Sequence, residues 1–487
     1  MQMCEYYTIE SEILELSKKF ESLYLLKNEK EILKTIEIAQ KLAEQETYNL
    51  PSKMQLYYDI ATAYHDIRLL NKKYCEDYLE KEIFNYRKSL DLFEDRQELD
   101  NLEENNVFNV CQYIAMRCYT NLGNSYSDIG RYISAIDCFS NALLINDNFA
   151  MASLNLSRLL FRYANHQIED YQKNYFDHAC YYYYQQTQKN KEYIENPNYL
   201  DDFTKYILLY DSNYREEYLS KDLELPNYKI EDNHEKEYRY YLGGFGLFLD
   251  PCLDLIRNPC FFVDSLQIVF QSSNNIKNKE LIGLFNQIKQ EYNWSRYLWY
   301  EAEANKFQMD YVDKQLDLID IGDGSDYSLR ISKMKNSFLS IYSLFDRIGY
   351  LINEYFEIGL TGKKISFKNV WKKELKNRKG AIYFEVPNPI LEKYANNPFV
   401  MAMYWLQKDF YEEKTVNITL PKAISICEMR NDFEHNCLRI GKTFEDTFFT
   451  KYINEFDLEN NTYKLLKLAR EMIIYLCLAI NYNQKSR

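Results

Sequence analysis

The segment Glu428-Met429-Arg430-Asn431-Asp432-Phe433-Glu434-His435 gathers the residue types in this chain best suited to chemistry. His435 is one of only five histidines. At 100° per residue, Ile426, Met429, Phe433, Cys437 and Ile440 fall on one stripe, the expected core face of a helix. Asn431 and His435 are one turn apart and stack on nearly the opposite face. Arg430 and Glu434 form the flank between. The pattern therefore aims an imidazole away from the core, with an amide one turn earlier and a guanidinium beside it. An imidazole with a pKa of about 6.5 exchanges protons at neutral pH. A guanidinium offers a planar fork of donors to an anion. The same residues have a plainer reading. Arg and Glu four apart usually make a solvated salt bridge, and a histidine on a polar helix face is usually just surface.

A second group of residues carries charge. Between Lys363 and Lys379 there are eight basic residues: Lys363, Lys364, Lys368, Lys372, Lys373, Lys376, Arg378 and Lys379. Glu374 is the one acid among them, so the stretch is strongly positive in a chain whose formal net charge is −14. That net charge excludes a globally basic nucleic-acid binder, and any nucleic-acid site has to be a local patch on an acidic body. Phe367 and Trp371 are interleaved with the lysines and could stack on bases. The alternative is a solvated loop with apolar anchors.

The elements that must hold these residues are predicted to be helices. With 13 Gly and 9 Pro in 487 residues, the chain is poor in the turn formers that sheets require, which favours an all-α fold. The N-terminal half carries a repeat signal in Tyr119, Leu122, Gly123, Tyr126, Ala135, Phe139 and Ala142. This spacing resembles the tetratricopeptide (TPR) repeat, a helix–turn–helix unit. Gly123 lets one helix approach its partner, Tyr126 and Phe139 fill the space between, and Gly130 suits the turn. Ile60, Ala61, Tyr64, Tyr86 and Ser89 resemble an earlier, degraded repeat, and Leu156, Leu160, Ala179 and Tyr183 a later one. With a further pair over 12–46, about four helix pairs are expected, because one repeat cannot bury its own face. An acidic stretch from Glu94 to Glu104 reads as a solvated loop.

The resulting partition is a helical-repeat array over 1–185, a polar bridging region over 186–240, a helical extension over 241–320 and a helical bundle over 321–487. Amphipathic helices are predicted at 279–304, 327–358, 396–411, 420–440 and 459–482. The last four could form a compact bundle.

Arg430-Asn431 followed by His435 on a late bundle helix resembles the signature of the HEPN superfamily: Arg, a polar residue, three further residues, then His. Tyr342-Ser343-Leu344-Phe345-Asp346-Arg347-Ile348 and Tyr404-Trp405-Leu406-Gln407-Lys408-Asp409 are similar to helices of one HEPN subgroup that also carries helical-repeat arms. Phe248-Leu249-Asp250-Pro251 and Lys289-Gln290-Glu291-Tyr292 resemble the same subgroup, so the likeness spans roughly 245–485. It implies a homodimer with motifs facing across a shared cleft, and metal-independent RNA cleavage. In that reading His435 is the general base or acid at the ribose 2′-hydroxyl and the leaving 5′-oxygen. Arg430 binds the phosphate, Asn431 orients the imidazole or bonds the phosphate, and Glu434 supports Arg430. The expected products are a 2′,3′-cyclic phosphate and a 5′-hydroxyl. Whether Asp346 or Asp409 reaches the cleft is open.

No cofactor is expected. Gly243-Gly244-Phe245-Gly246 lacks the Lys-Ser or Lys-Thr of a phosphate-binding loop. None of the 11 cysteines has CxxC spacing, which argues against zinc and for reduced, buried thiols in a cytoplasmic protein. No apolar run is long enough for a membrane span. The resemblance implies a regulated toxin or antiviral effector, with RNA (tRNA or another cellular RNA) as substrate and a protein or peptide bound by the arm. The competing reading is a non-catalytic scaffold with a HEPN dimerisation bundle. A third makes a tyrosine of the domain a target of nucleotidyl transfer.

Overall fold

Long runs of helix formers with few breakers give a mainly helical chain in the computed structural model, as expected for an all-α fold. The structure describes residues 9–72, 74–94, 106–167, 169–194, 197–210, 229–255, 263–271, 275–304, 310–319, 322–376, 382–385, 389–410, 419–421, 423–435, 438–442 and 451–485. By their contacts, Met1–Asn165, Asn174–Asp222 and Lys408–Ala423 form one compact unit. His166–Lys173, Leu223–Gln407 and Ile424–Arg487 form the other.

The first unit is built from consecutive helix pairs. These are α1 (Ser11–Leu25) with α2 (Glu29–Ala43), α3 (Leu50–Asn71) with α4 (Glu76–Glu94), α5 (Asn106–Asp128) with α6 (Tyr132–Ile145), and α7 (Ala150–Ala164) with α8 (Asp170–Lys189). The residues of the repeat signal do what their sizes suggest. Tyr126, Ala135, Phe139 and Ala142 are buried between α5 and α6. A Cβ on Gly123 would lie 2.6 Å from the Phe139 ring, so only glycine lets that ring seat. Gly130 makes the intervening turn at φ +80°. Polar groups tie neighbouring pairs together. Glu82 of α4 is fully buried and accepts from His65 Nδ1 at 3.2 Å, from Ser125 Oγ at 2.5 Å and from Arg68. Burial pushes its carboxyl pKa up, but those bonds outweigh it and hold it below the ordinary value. The acidic stretch beyond Glu94, over 95–105, lies outside the described residues.

The region expected to bridge irregularly contains two helices, α9 (Pro197–Tyr210) and α10 (Asn233–Gly244). Pro197 is the first residue of α9, a position where its missing N–H costs nothing. Asp232 caps α10, its side chain accepting from the backbone of His234 at 2.7 Å and Glu235 at 3.1 Å. Pro197 and Asp232, within the stretch expected to bridge, thus mark helix starts.

In the second unit α11 (Ile276–Ala304) packs along α12 (Leu329–Phe356). The short α13 (Pro389–Lys393) leads to α14 (Pro398–Leu406), and α15 (Ala423–His435) precedes the terminal α16 (Glu455–Lys485). α16 packs on α11, α12 and α14. Phe285, Tyr292, Phe338, Phe345, Ile352, Leu465, Ala469 and Ile473 repeat at helical spacing and are buried there. Arg470 of α16 is buried with them and holds the 248–254 turn, donating to Phe248 O and Asp250 O and pairing with Asp254 at 2.7 Å. Tyr292 donates to Leu247 O at 2.9 Å, the residue just before the 248–251 segment.

The helix predicted over 420–440 ends at His435. Leu438–Gly441 is instead a strand, β3, paired in parallel with β4 (Lys451–Asn454). Asp326 N–H donates to Ile440 O at 2.7 Å, and these partners are distant in sequence. Cys437 lies outside the described residues, and Ile440 is buried as part of β3 rather than as a helix stripe. Two further strands, β1 (Lys373–Lys376) and β2 (Ile382–Glu385), pair antiparallel, with Lys373 opposite Glu385.

Candidate functional site

Helix α15 buries Ile426, Met429 and Phe433 and leaves Glu428, Asn431 and Glu434 exposed, as its periodicity predicts. Phe433 sets the rotation of the helix by packing edge-on against Phe338 of α12, with centroids 5.5 Å apart. Lys335 lies over the same ring at 5.1 Å.

This rotation brings Arg430 to the edge of α12. Its guanidinium lies 5.7 Å from the centroid of the Tyr342 ring, pairs with Glu434 at 2.8 Å and donates to Asn431 Oδ1 at 3.0 Å. The side chains of Arg430 and Glu434 are 34 % and 39 % exposed, so the pair is reachable from solvent. Asn431 is exposed, and its amide also approaches Cys427 Sγ at 3.8 Å. Burial pushes the Tyr342 hydroxyl pKa well up, the neighbouring Cys427 thiol adds to this, and Arg430 opposes it. Tyr342 is therefore a neutral ring beneath the guanidinium, a face that attracts a cation. His435 is the last residue of α15, one turn beyond Asn431; its side chain, with Arg378 and Lys379, lies outside the described residues.

The basic segment docks on the same helix. Asp346 lies four residues after Tyr342 and accepts from Phe367 N–H at 3.0 Å. Gly349 follows three residues later, and a Cβ there would lie 2.7 Å from Phe367 N. One stripe of α12 thus carries the ring under Arg430 and, about 10 Å along the axis, the seat of residues 366–367. Asp346 anchors the segment.

The expectation that Trp371 and Phe367 stack on bases is corrected. Both are buried, Trp371 edge-on to Tyr404 at 6.2 Å and Phe367 against Phe345 at 5.2 Å. Aromatic rings of this size gain more from seating against α12 and α14 than from facing water. The lysines divide as well. Lys372 is buried, Lys368 is half-buried and Lys364 pairs with Glu374 at 3.0 Å. Lys363, Lys373 and Lys376 are exposed.

Asp409 belongs elsewhere, with the first unit, where it meets Arg87 and Arg131. Two neighbours of the motif were not singled out from sequence. Tyr342 lies in a segment already noted for its likeness, but no spacing rule ties position 342 to 430. Lys451 of β4 reaches Asp432 at 2.8 Å, a pairing created by the β3–β4 contact.

Among the described residues no group of His, Cys, Asp and Glu could hold a metal ion. No disulfide joins the described cysteines, and most of them are buried. No described helix is long and apolar enough to cross a membrane.

A bundle of α11, α12, α14 and α16 is flanked by a helix that carries Arg430 and Asn431 about one turn before His435. The comparison with families is more specific. The model described as LA2681-like HEPN matches residues 272–483, and this supports a HEPN superfamily domain there. No curated protein and no solved structure matches the chain. A HEPN domain is compatible with a ribonuclease or a nucleotide-binding role.

Proposed function

We propose that this protein is a metal-independent endoribonuclease, acting as a homodimer and controlled through a TPR-type N-terminal array, in the role of a toxin or antiviral effector. The observation that carries the reading is the solvent-reachable Arg430, held between Tyr342 and Glu434 with Asn431 beside it, on the helix that ends in His435. Arg430 takes a phosphate oxygen and stabilises the charge that grows as the 2′-oxygen attacks phosphorus. His435 accepts the 2′-hydroxyl proton, and a proton is returned to the departing 5′-oxygen. Glu434 keeps the guanidinium in place before RNA arrives. Lys363, Lys373 and Lys376, exposed on the segment seated along α12, add backbone attraction.

The test is cleavage of total RNA and tRNA with EDTA present, by wild type, His435→Ala and Arg430→Ala. Cleavage by wild type alone, leaving 2′,3′-cyclic phosphate ends, is the expected result. Equal cleavage by all three moves the site elsewhere. Silence of all three, in a protein that still dimerises, favours the scaffold reading.

A further inference from the structure

The first unit contains a site that the ribonuclease reading does not use. Arg87 of α4 and Arg131 at the start of α6 converge on one carboxylate, Asp409, which is distant in sequence from both. Its side chain is 0 % exposed. Arg87 binds both carboxylate oxygens, with Nη2 3.0 Å from Oδ2, and Arg131 Nη1 lies 2.8 Å from the same oxygen. Thr419 Oγ1 donates to Oδ1 at 2.6 Å. Tyr126 backs both guanidinium groups, 5.3 Å from Arg87 and 4.7 Å from Arg131. Beside it the charge order reverses: the buried ammonium of Lys408 pairs with Glu76 and Glu80 of α4. Two adjacent residues of opposite charge therefore meet two sites of opposite charge on the array, so their order is read as well as their presence.

This anchored dipeptide is tied to the start of α15. Thr419 N–H donates to Lys408 O at 3.2 Å while its hydroxyl holds Asp409, so Thr419 is bonded to both residues of the pair. Ala423, the first residue of α15, donates its N–H to Leu420 O at 3.1 Å. Thr419 and Ala423 are four positions apart, and the thirteen-residue helix runs from Ala423 to His435. Burial pushes the Asp409 pKa up, but the two arginines and Thr419 outweigh it and bring it to about 2, so the pair stays ionised throughout the physiological range.

We propose that Arg87, Arg131 and Tyr126 form a carboxylate-binding site of the helical array, occupied in cis by Asp409, and that this occupancy acts as a latch fixing the start of the helix that bears Arg430 and His435. Release of Asp409 frees Thr419 and frays the first turn of α15. A buried ion pair does not stabilise a fold better than apolar side chains of the same volume, whereas it specifies one arrangement and can be opened by a competing charge. The consequence for RNA cleavage rests on the ribonuclease reading; the latch itself does not.

The experiment is hydrogen exchange on the full-length chain, read over α15 and over α11–α12, for wild type, Asp409→Asn and Thr419→Val. Asp409→Asn is expected to speed exchange in α15 at least tenfold and leave α11–α12 unchanged. Thr419→Val removes one hydroxyl and leaves both arginines paired, so it decides the matter if Asp409→Asn fails to fold. It is expected to speed exchange in α15 about threefold. Wild-type exchange in α15 in Thr419→Val, or in a folded Asp409→Asn, overturns the proposal. RNA cleavage is measured on the same samples. Altered exchange without cleavage in any sample supports the latch and counts against the ribonuclease.

Discussion

Arginine meets carboxylate in both units, with opposite consequences. In the first, Arg87 and Arg131 hold Asp409 out of water, with every carboxylate oxygen bonded. In the second, Arg430 and Glu434 pair four residues apart on one helix, each about a third exposed. The buried cluster joins residues hundreds of positions apart, and opening it strands charges in a low-dielectric interior. The exposed pair can be exchanged for a phosphate at little cost, because water screens what is left. One chemistry therefore serves as a lock where it is buried and as a ligand site where it is not.

The largest effect that tests this contrast is on stability. Asp409→Ala leaves two arginines uncompensated and is expected to cost about 3–5 kcal/mol in urea unfolding. The folded pKa of Asp409, about 2, lies below the roughly 3.9 of an unfolded aspartate, so its contribution is full above that value and is lost as pH falls through about 2. Asp409→Asn is expected to lack that acid-dependent loss. Arg430→Ala should behave in the opposite way, lowering RNA cleavage about 10²- to 10³-fold while changing stability by less than about 1 kcal/mol. A stability loss at Arg430 as large as that at Asp409 would erase the distinction.

Gly349→Ala is an intermediate case. It pushes a methyl against the backbone of residue 367 and is expected to cost about 1–3 kcal/mol. RNA affinity should fall with it if the basic segment works from its seat on α12, and unchanged affinity would detach that segment from the site. The smallest effect is that of Glu434→Gln. It removes a helix-surface ion pair worth about 0.2–0.5 kcal/mol, keeps an amide oxygen that can hold Arg430, and takes away a negative charge beside the phosphate site, so it should tighten RNA binding slightly in a filter assay at low salt.

Much of this was legible along the chain. Apolar spacing located α11, α12, α14, α15 and α16 to within a few residues at most ends, and identified Ile426, Met429 and Phe433 as the buried face of α15. Gly123 and Phe139 announced the contact between α5 and α6 through their sizes alone. Such signals are local, because a helix repeats every 3.6 residues and writes its buried stripe into the sequence that forms it. The type and spacing of Arg430, Asn431, Glu434 and His435 were likewise present in one short segment.

Long-range pairing was not. The switch from α15 to β3 depends on β4 and on Asp326, and neither contact has a period in the chain. The burial of Trp371 and Phe367 depends on α12 and α14, so two aromatic residues in a lysine-rich stretch read as exposed platforms until those helices were in place. The partners of Asp409 are the extreme case, since a carboxylate in a helical segment carries no mark of two arginines hundreds of residues earlier. Composition and periodicity determined that this protein is helical and which face of each helix is apolar. Tertiary structure alone decided which charges are locked away and which remain open to a ligand, because that depends on whether distant side chains displace the water around them.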